Sequence, residues 1–197
     1  MNKPYSESCD QNKEVILSVI SPLFISLSNV LEIGSGTGQH AIYFAETMPH
    51  LRWHTSDCLS YLDGINMWLA DTGLTNVLPP LELNVSRPPW PQIDVDAVFT
   101  ANSIHIMHQQ DVVNLVNGVG KLLKQGGSFV IYGPFNYNGL YTSKSNENFD
   151  QWLKQRDAFS GIKHFEEIKS MAKSNNMQLV TDYEMPANNR ILHFIKS

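Results

Sequence analysis

The sequence predicts a doubly wound, Rossmann-like α/β fold. One domain is expected, built on a seven-stranded, mostly parallel sheet that ends in a C-terminal antiparallel hairpin. Three features carry this reading. Short apolar runs alternate with stretches of helical periodicity through most of the 197 residues, the pattern of repeated β-α units. A glycine-rich turn, Gly34-Ser35-Gly36-Thr37-Gly38, links the first apolar run to the helix after it. The last two apolar runs are joined only by Met185-Pro186-Ala187-Asn188-Asn189, which is too short for a crossover helix and suits a hairpin.

Each element has its own local signal. Asp10 is the expected cap of a first helix from about Gln11, with Val15, Ile16, Val19, Ile20, Leu23 and Phe24 on one face. Pro22 is expected to bend or end it. Strand one is read over 29–33, and the next helix over 38–47, stopping before Pro49. Strand two covers 51–56. A helix over 59–70 stops near Gly73. Strand three is placed at 81–85, ahead of the turn Arg87-Pro88-Pro89-Trp90-Pro91. Strand four, 97–101, is apolar apart from Thr100, as a strand buried on both faces should be. A helix over 111–123 ends before Gly126-Gly127, and strand five covers 128–132. The closing strands are 178–184 and 190–195.

One stretch breaks the alternation. Residues 134–163 are polar yet carry Phe135, Tyr137, Tyr141, Phe149, Trp152 and Phe159, with a short helix over 146–156. A long connection at the C-terminal edge of a parallel sheet is where a substrate lid sits. An inserted packing element that covers the sheet end is the other reading.

Composition narrows the class. Hydrophobic residues make up 42% and charged residues 17%, ordinary for a soluble globular protein. The net charge is -5 and the isoelectric point about 5.7. With no dense Lys/Arg run, nucleic acid is not expected as the main partner. Cys9 and Cys58 form no Cys-x-x-Cys pair, which fits a cytoplasmic protein. No apolar run approaches the ~18 residues of a membrane-spanning helix. His105 and His108, or His50 and His54, bring no acidic partners into a recognisable metal site, so no metal is expected. The Gly-x-Ser-x-Gly elbow of hydrolases is absent.

The glycine turn is the strongest chemical signal. Glycines let the backbone turn sharply and approach a ligand, and the helix that follows offers free amide donors. A dinucleotide fingerprint requires Gly or Ala where this chain has Gln39. About twenty residues on, Asp57 ends strand two, the place from which an acidic side chain can accept both hydroxyls of a ribose. Capping of the next helix is the alternative role for Asp57.

The pattern of Glu32 followed by glycines at 34, 36 and 38 resembles the class I S-adenosylmethionine-dependent methyltransferases. The resemblance implies S-adenosylmethionine as cofactor and S-adenosylhomocysteine as product. It places Glu32 near the cofactor's ammonium and Gly34, Gly36 and Gly38 under its methionyl end. Gln39 and His40 would reach the methionine carboxylate, although a solvated first-turn histidine is an equal reading of His40. Cys58 and Leu59 would flank the adenine. Asn84 stands where the family usually has Asp to accept from the adenine amino group; its amide oxygen can accept the same bond. Asn102, with Ser103 and His105, would line the methionyl end.

Methyl transfer asks mainly for alignment of the acceptor with the S–CH3 bond, and a base where the acceptor carries a proton. His105 is the first candidate base, and Asn102 and Tyr132 are candidates to orient the acceptor. A hydrogen-bonded structural histidine is the competing view of His105.

Nearly the whole chain also resembles a small uncharacterised family that includes the animal protein methyltransferase-like 26. The matching residues include Asn12-Lys13, Gly38-Gln39-His40, Ser56-Asp57, Asn102 with His105, and Tyr132-Gly133-Pro134. Asn138-Gly139, Ser145-Asn146, Phe149-Asp150, Arg156 and Met185-Pro186-Ala187-Asn188-Asn189 match further on. Gln11 and Asn84 depart from it. The resemblance implies Asn12, Asn146, Arg156 and Asn188 as substrate or lid contacts, though each could serve as a cap or turn residue. A small-molecule methyl acceptor is expected, methylated on oxygen or nitrogen. A protein or RNA methyltransferase and an S-adenosylmethionine-binding sensor or scaffold are the rivals. The sequence leaves the oligomeric state open.

Overall fold

The structure is a computed structural model that describes residues 3–197. In chain order the elements are α1 (Glu7–Phe24), β1 (Asn29–Ile33), α2 (Gln39–Thr47), β2 (Arg52–Asp57), α3 (Leu59–Ala70), β3 (Val77–Glu82) and β4 (Ala97–Ala101). They continue with α4 (Gln109–Leu122), β5 (Ser128–Gly133), β6 (Phe135–Asn136), α5 (Lys144–Arg156), β7 (Lys163–His164), α6 (Phe165–Ser174), β8 (Met177–Met185) and β9 (Asn189–Lys196). A 3-10 turn, Pro186–Asn188, joins the last two strands. Seven strands form one sheet in the order β3-β2-β1-β4-β5-β9-β8. β1 pairs in parallel with β2 and β4, and β2 with β3. β9 runs antiparallel to both β5 and β8. The expected α/β class, the mostly parallel sheet and the closing hairpin are therefore all present. The chain forms two compact units, one running to Thr100 and one from Ala101 to Ser197.

In the first unit the core forms around aromatic rings. Phe44, Trp53 and Phe99 are fully buried, with ring centroids 5.6 to 6.0 Å apart. Offset and edge-on contacts of this kind add to the area they bury. Helix α1 contributes Ile16, Ile20 and Phe24 at four-residue spacing, the face that the sequence periodicity indicates. Its start differs from expectation. Ser6, not Asp10, is the cap: its side chain accepts from Cys9 N. Asp10 lies inside the helix and pairs with Lys13. The helix runs two residues past Pro22, so the proline sits in its last turn and the helix ends shortly after it.

Strand β3 is the other correction. It covers Val77–Glu82 and contains Pro79 and Pro80, whereas the sequence placed it at 81–85. Prolines argue against a central strand, because they lack the N–H that a ladder needs. β3 is the edge of the sheet and pairs only with β2, so the outward-facing one of the two missing donors costs no partner, and the other falls where the ladder to β2 is itself broken. The register shifts between His54 and Ser56, opposite the prolines.

In the second unit, α4 buries Val112, Leu115, Val116 and Val119, and α6 buries Ile168 and Ala172. β5 is buried along its whole length, and β9 adds Ile191, Leu192 and Phe194. Gly120 lets α4 lie close to the end of α6: a Cβ there would stand 2.7 Å from Cβ of Asn175. The segment 134–163 is ordered by its own ladder, with β6 parallel to β7, and by α5, capped by Ser143 through Asn146 N.

Candidate active site

The first unit carries the glycine turn. Gly34, Gly36 and Gly38 have φ of 76°, 58° and 89°, a backbone that side-chain-bearing residues rarely adopt. At Gly38 there is a second constraint. A Cβ would meet Ile65 Cγ2 at 3.3 Å, so the turn packs directly on α3. At Gly36 a Cβ would meet nothing within 4 Å, so the backbone there is open to a ligand. Gly36 N donates to Asp57 Oδ2 at 2.8 Å, and Cys58 N donates to Asp57 Oδ1 at 2.7 Å. The spacing in sequence therefore becomes a contact: Asp57 is bonded to the middle of the turn. Its carboxyl is raised above its ordinary pKa by burial, against the pull of those two N–H groups. Asp57 does not supply the side-chain cap of α3, whose cap residue is Cys58.

Glu32 lies beneath the turn, 1% exposed. Its Oε2 accepts from Ser35 Oγ at 2.9 Å and from Trp53 Nε1 at 3.2 Å. Burial raises its pKa to about 7, and Trp53 and Ser35 resist that rise. This carboxylate lacks a cation among the described residues, and a bound ammonium would restore its ionised form.

Gln39 and His40 turn elsewhere than the resemblance implies. Gln39 Oε1 accepts from Ser6 N at 2.6 Å and its Nε2 donates to Ser6 O at 3.3 Å. His40 Nε2 pairs with Asn12 Oδ1 at 2.7 Å and its ring stacks on Phe44. Burial lowers its pKa to about 4, so it is neutral at pH 7. His40 is thus no solvated first-turn residue. Both side chains fasten α1 to the start of α2, and Asn12 belongs to that clasp. Asn84 lies beyond β3, and its Oδ1 accepts from Ser86 N at 2.9 Å within its own turn.

The second unit brings together Asn102, Tyr132, His105 and the 134–163 segment. Asn102 takes φ of 55° and its N–H donates to Tyr132 O at 3.0 Å. Tyr132 is 2% exposed. His105 is 6% exposed, and its Nδ1 has no hydrogen-bond partner. The Phe149 ring meets it edge-on at 5.1 Å. Burial, aided by the nearby Lys163 charge, lowers its pKa to about 4. The backbone after it is stapled to the end of the inserted segment: Gly161 N donates to His105 O at 2.8 Å, Ser160 Oγ to Ile106 O at 3.0 Å and Lys163 Nζ to Met107 O at 2.8 Å.

Asn146 and Asn188 also meet. Asn146, 5% exposed, donates through Nδ2 to Asn188 O at 3.1 Å and to Thr142 Oγ1 at 2.8 Å. Asn188 has φ of 58°, the left-handed turn geometry that asparagine tolerates. Arg156 stands apart from these groups, exposed and stacked on Trp152 at 4.6 Å. Sequence reasoning missed Asp150 and Lys163 as buried polar groups. Asp150 accepts from Ile162 N, Tyr141 OH and Lys154 Nζ at 2.6 to 2.7 Å. Only its place beside Phe149 in the family pattern hinted at it, and nothing marked Lys163. Among the described residues no three His, Cys, Asp or Glu side chains gather as a metal site, and no helix is long and apolar enough to cross a membrane.

Solved structures with the same fold include S-adenosylmethionine-dependent methyltransferases. SibL, a S-adenosylmethionine-dependent methyltransferase, superposes with a TM-score of 0.81 at 18% identity, over 96% of this chain and 55% of its own. An O-methyltransferase family protein from Burkholderia thailandensis gives 0.81 at 13%, over 97% and 58%. Human N-acetylserotonin methyltransferase, solved with S-adenosylmethionine, gives 0.81 at 12%, over 97% and 53%. The chain spans little more than half the length of these proteins, and at such identities the likeness is one of fold: the class I methyltransferase fold. A family model matches residues 3–196. The chain belongs to that family, described as Protein of unknown function (DUF938).

Proposed function

We propose that this protein is an S-adenosylmethionine-dependent methyltransferase that methylates an oxygen or nitrogen atom of a small molecule. The observation that carries this reading is the contact of Asp57 with Gly36, beside a buried carboxylate, Glu32, that has no cation of its own among the described residues. Asp57 would accept from the ribose, Glu32 would face the ammonium, and the open backbone at Gly36 would lie against the methionyl chain. Cys58 would border the adenine, with Asn84 accepting from its amino group. The cofactor, when bound, supplies an electrophilic methyl group. His105, Asn102 and Tyr132 would touch and orient the acceptor. The segment 134–163 would cover it, with Asn146 and Asn188 fixing its position and Arg156 at its rim. The single-domain reading, a cytoplasmic setting for the two cysteines and kinship with the methyltransferase-like 26 group belong to the same proposal.

Calorimetric titration with S-adenosylmethionine and S-adenosylhomocysteine, with NAD as control, tests it. Both sulfur ligands should bind and NAD should not. Asp57→Ala should weaken binding at least about tenfold, since a hydrogen bond to a charged group contributes ~1.5–3 kcal/mol. Absence of binding by either ligand sinks the proposal. Binding without turnover over a broad acceptor panel would mark a sensor.

A further inference from the structure

Lys163 is a buried cation that the methyl-transfer reading leaves unused. The residue is 7% exposed, and its ammonium donates to two backbone carbonyls, Met107 O at 2.8 Å and Gly161 O at 3.0 Å. Among the described residues no carboxylate lies within ion-pair distance. Asp150, Glu167 and Asp157 act on it only at longer range, and Lys154 opposes them. Asp150 is already engaged by Lys154, Tyr141 and Ile162. A buried charge without a counterion is costly, and such groups gather at functional sites. Two further observations locate what the charge could serve. His105 Nδ1, buried and unpartnered, lies within range of the Lys163 field. A Cβ on Gly133 would meet only that same Nδ1, at 3.8 Å. Apart from its chain neighbours, only His105 comes within 4 Å of that position, and the Phe149 ring packs against the same imidazole.

We propose that the second unit holds a subsite for a small acceptor whose reacting oxygen is already an oxyanion: Lys163 supplies the complementary charge, His105 Nδ1–H donates to the oxygen, and Gly133 leaves the space it fills. This rests on the methyl-transfer reading above. Burial holds His105 neutral, with a pKa of about 4, which makes it a weak proton sink and a serviceable hydrogen-bond donor. An oxyanion needs no base. Its lone pair forms the new O–C bond as the S–C bond of the donor breaks and that electron pair returns to sulfur. The sulfonium becomes a neutral thioether, and no proton leaves the acceptor.

The test follows the ring resonances of His105 by NMR, with benzoate and benzamide as probes of equal shape and different charge. Benzoate should shift them and benzamide should not. Lys163→Gln, which keeps donors for the carbonyls and removes the charge, should weaken the benzoate response at least about tenfold. Gly133→Ala, which fills the space, should abolish it; because the φ of 158° at Gly133 strains any side chain there, circular dichroism first establishes that this variant folds, and Lys163→Gln carries the test if it does not. Equal responses to both probes, no response to benzoate, or a benzoate response unchanged in Lys163→Gln each overturns the proposal. S-adenosylmethionine calorimetry on the same samples separates the two levels: intact cofactor binding with a failed benzoate test sinks only the subsite.

Discussion

Replacing Asp150 with alanine removes three hydrogen bonds at once and leaves the Ile162 N–H without an acceptor. The three losses differ in weight. Ile162 is buried, at 6% exposure, and an unsatisfied buried donor costs ~1–3 kcal/mol. Lys154 is half exposed, so water replaces most of what it loses and the pair contributes no more than ~1 kcal/mol. Tyr141 is also partly exposed and adds a similar amount. Together Asp150→Ala should cost about 2–4 kcal/mol. Asp150→Asn keeps one oxygen for Ile162 and removes the charge, so it should cost about 1–2 kcal/mol.

Urea denaturation at neutral pH measures both, and hydrogen exchange at Gly161 and Ile162 shows whether the loss is local. The pH dependence has a definite sign. Burial pushes the Asp150 carboxyl up, but Lys154, Tyr141 and Ile162 outweigh it and hold the carboxyl below its ordinary range. Its stabilisation is therefore complete above pH ~4 and disappears as the pH falls through the lower, folded value. The gap between wild type and Asp150→Ala should shrink in acid. An alanine variant within ~0.5 kcal/mol of wild type at pH 7, where surface substitutions usually fall, would refute the hub role. So would an asparagine variant as costly as the alanine one.

Two further outcomes are expected. Gly120→Ala should destabilise by about 1–3 kcal/mol through overpacking against Asn175; thermal melting with no loss would show that α6 yields freely. Glu32, whose folded pKa of about 7 lies above its unfolded value, should make wild-type stability fall relative to Glu32→Gln as the pH rises from ~4.5 to ~7, and level off above. Denaturation series of both proteins from pH 4 to 8 check this, and parallel curves would contradict it.

Much of this architecture is written in periodicity. The helix over 59–70 and the strands at 29–33 and 97–101 follow directly from the spacing of apolar residues, because burial on one or both faces enforces it. Two misreadings came from residues whose local preference was taken without their place in the sheet or helix. Strand three reads as 81–85, after Pro79-Pro80, although the edge position of β3 lets it hold both prolines, and Asp10 reads as a cap although Ser6, four residues earlier, caps the helix. In the site, the Asp57 to glycine-turn contact was legible because the β-α connection fixes the distance between consecutive strand ends. The partners of Gln39, His40, Asp150 and Lys163 were not. Each depends on which buried carbonyl or amide another segment delivers, and a lysine on a two-residue strand carries no mark of burial in its sequence.

The prolines of β3 have a consequence at the level of whole molecules. A sheet edge is a row of donors and acceptors on which a strand from another molecule can be laid. On β3 two successive residues have no N–H, and the one that faces outward denies an incoming strand a donor where the register already shifts. The other edge, β8, is interrupted near Val180, where pairing with β9 skips between Leu179 and Thr181, and its Asp182 and Glu184 face the Arg190 guanidinium. Each margin of the sheet is thus a poor template, and edge-to-edge growth into fibrils is blocked by backbone chemistry at one side and by a kink and fixed charges at the other.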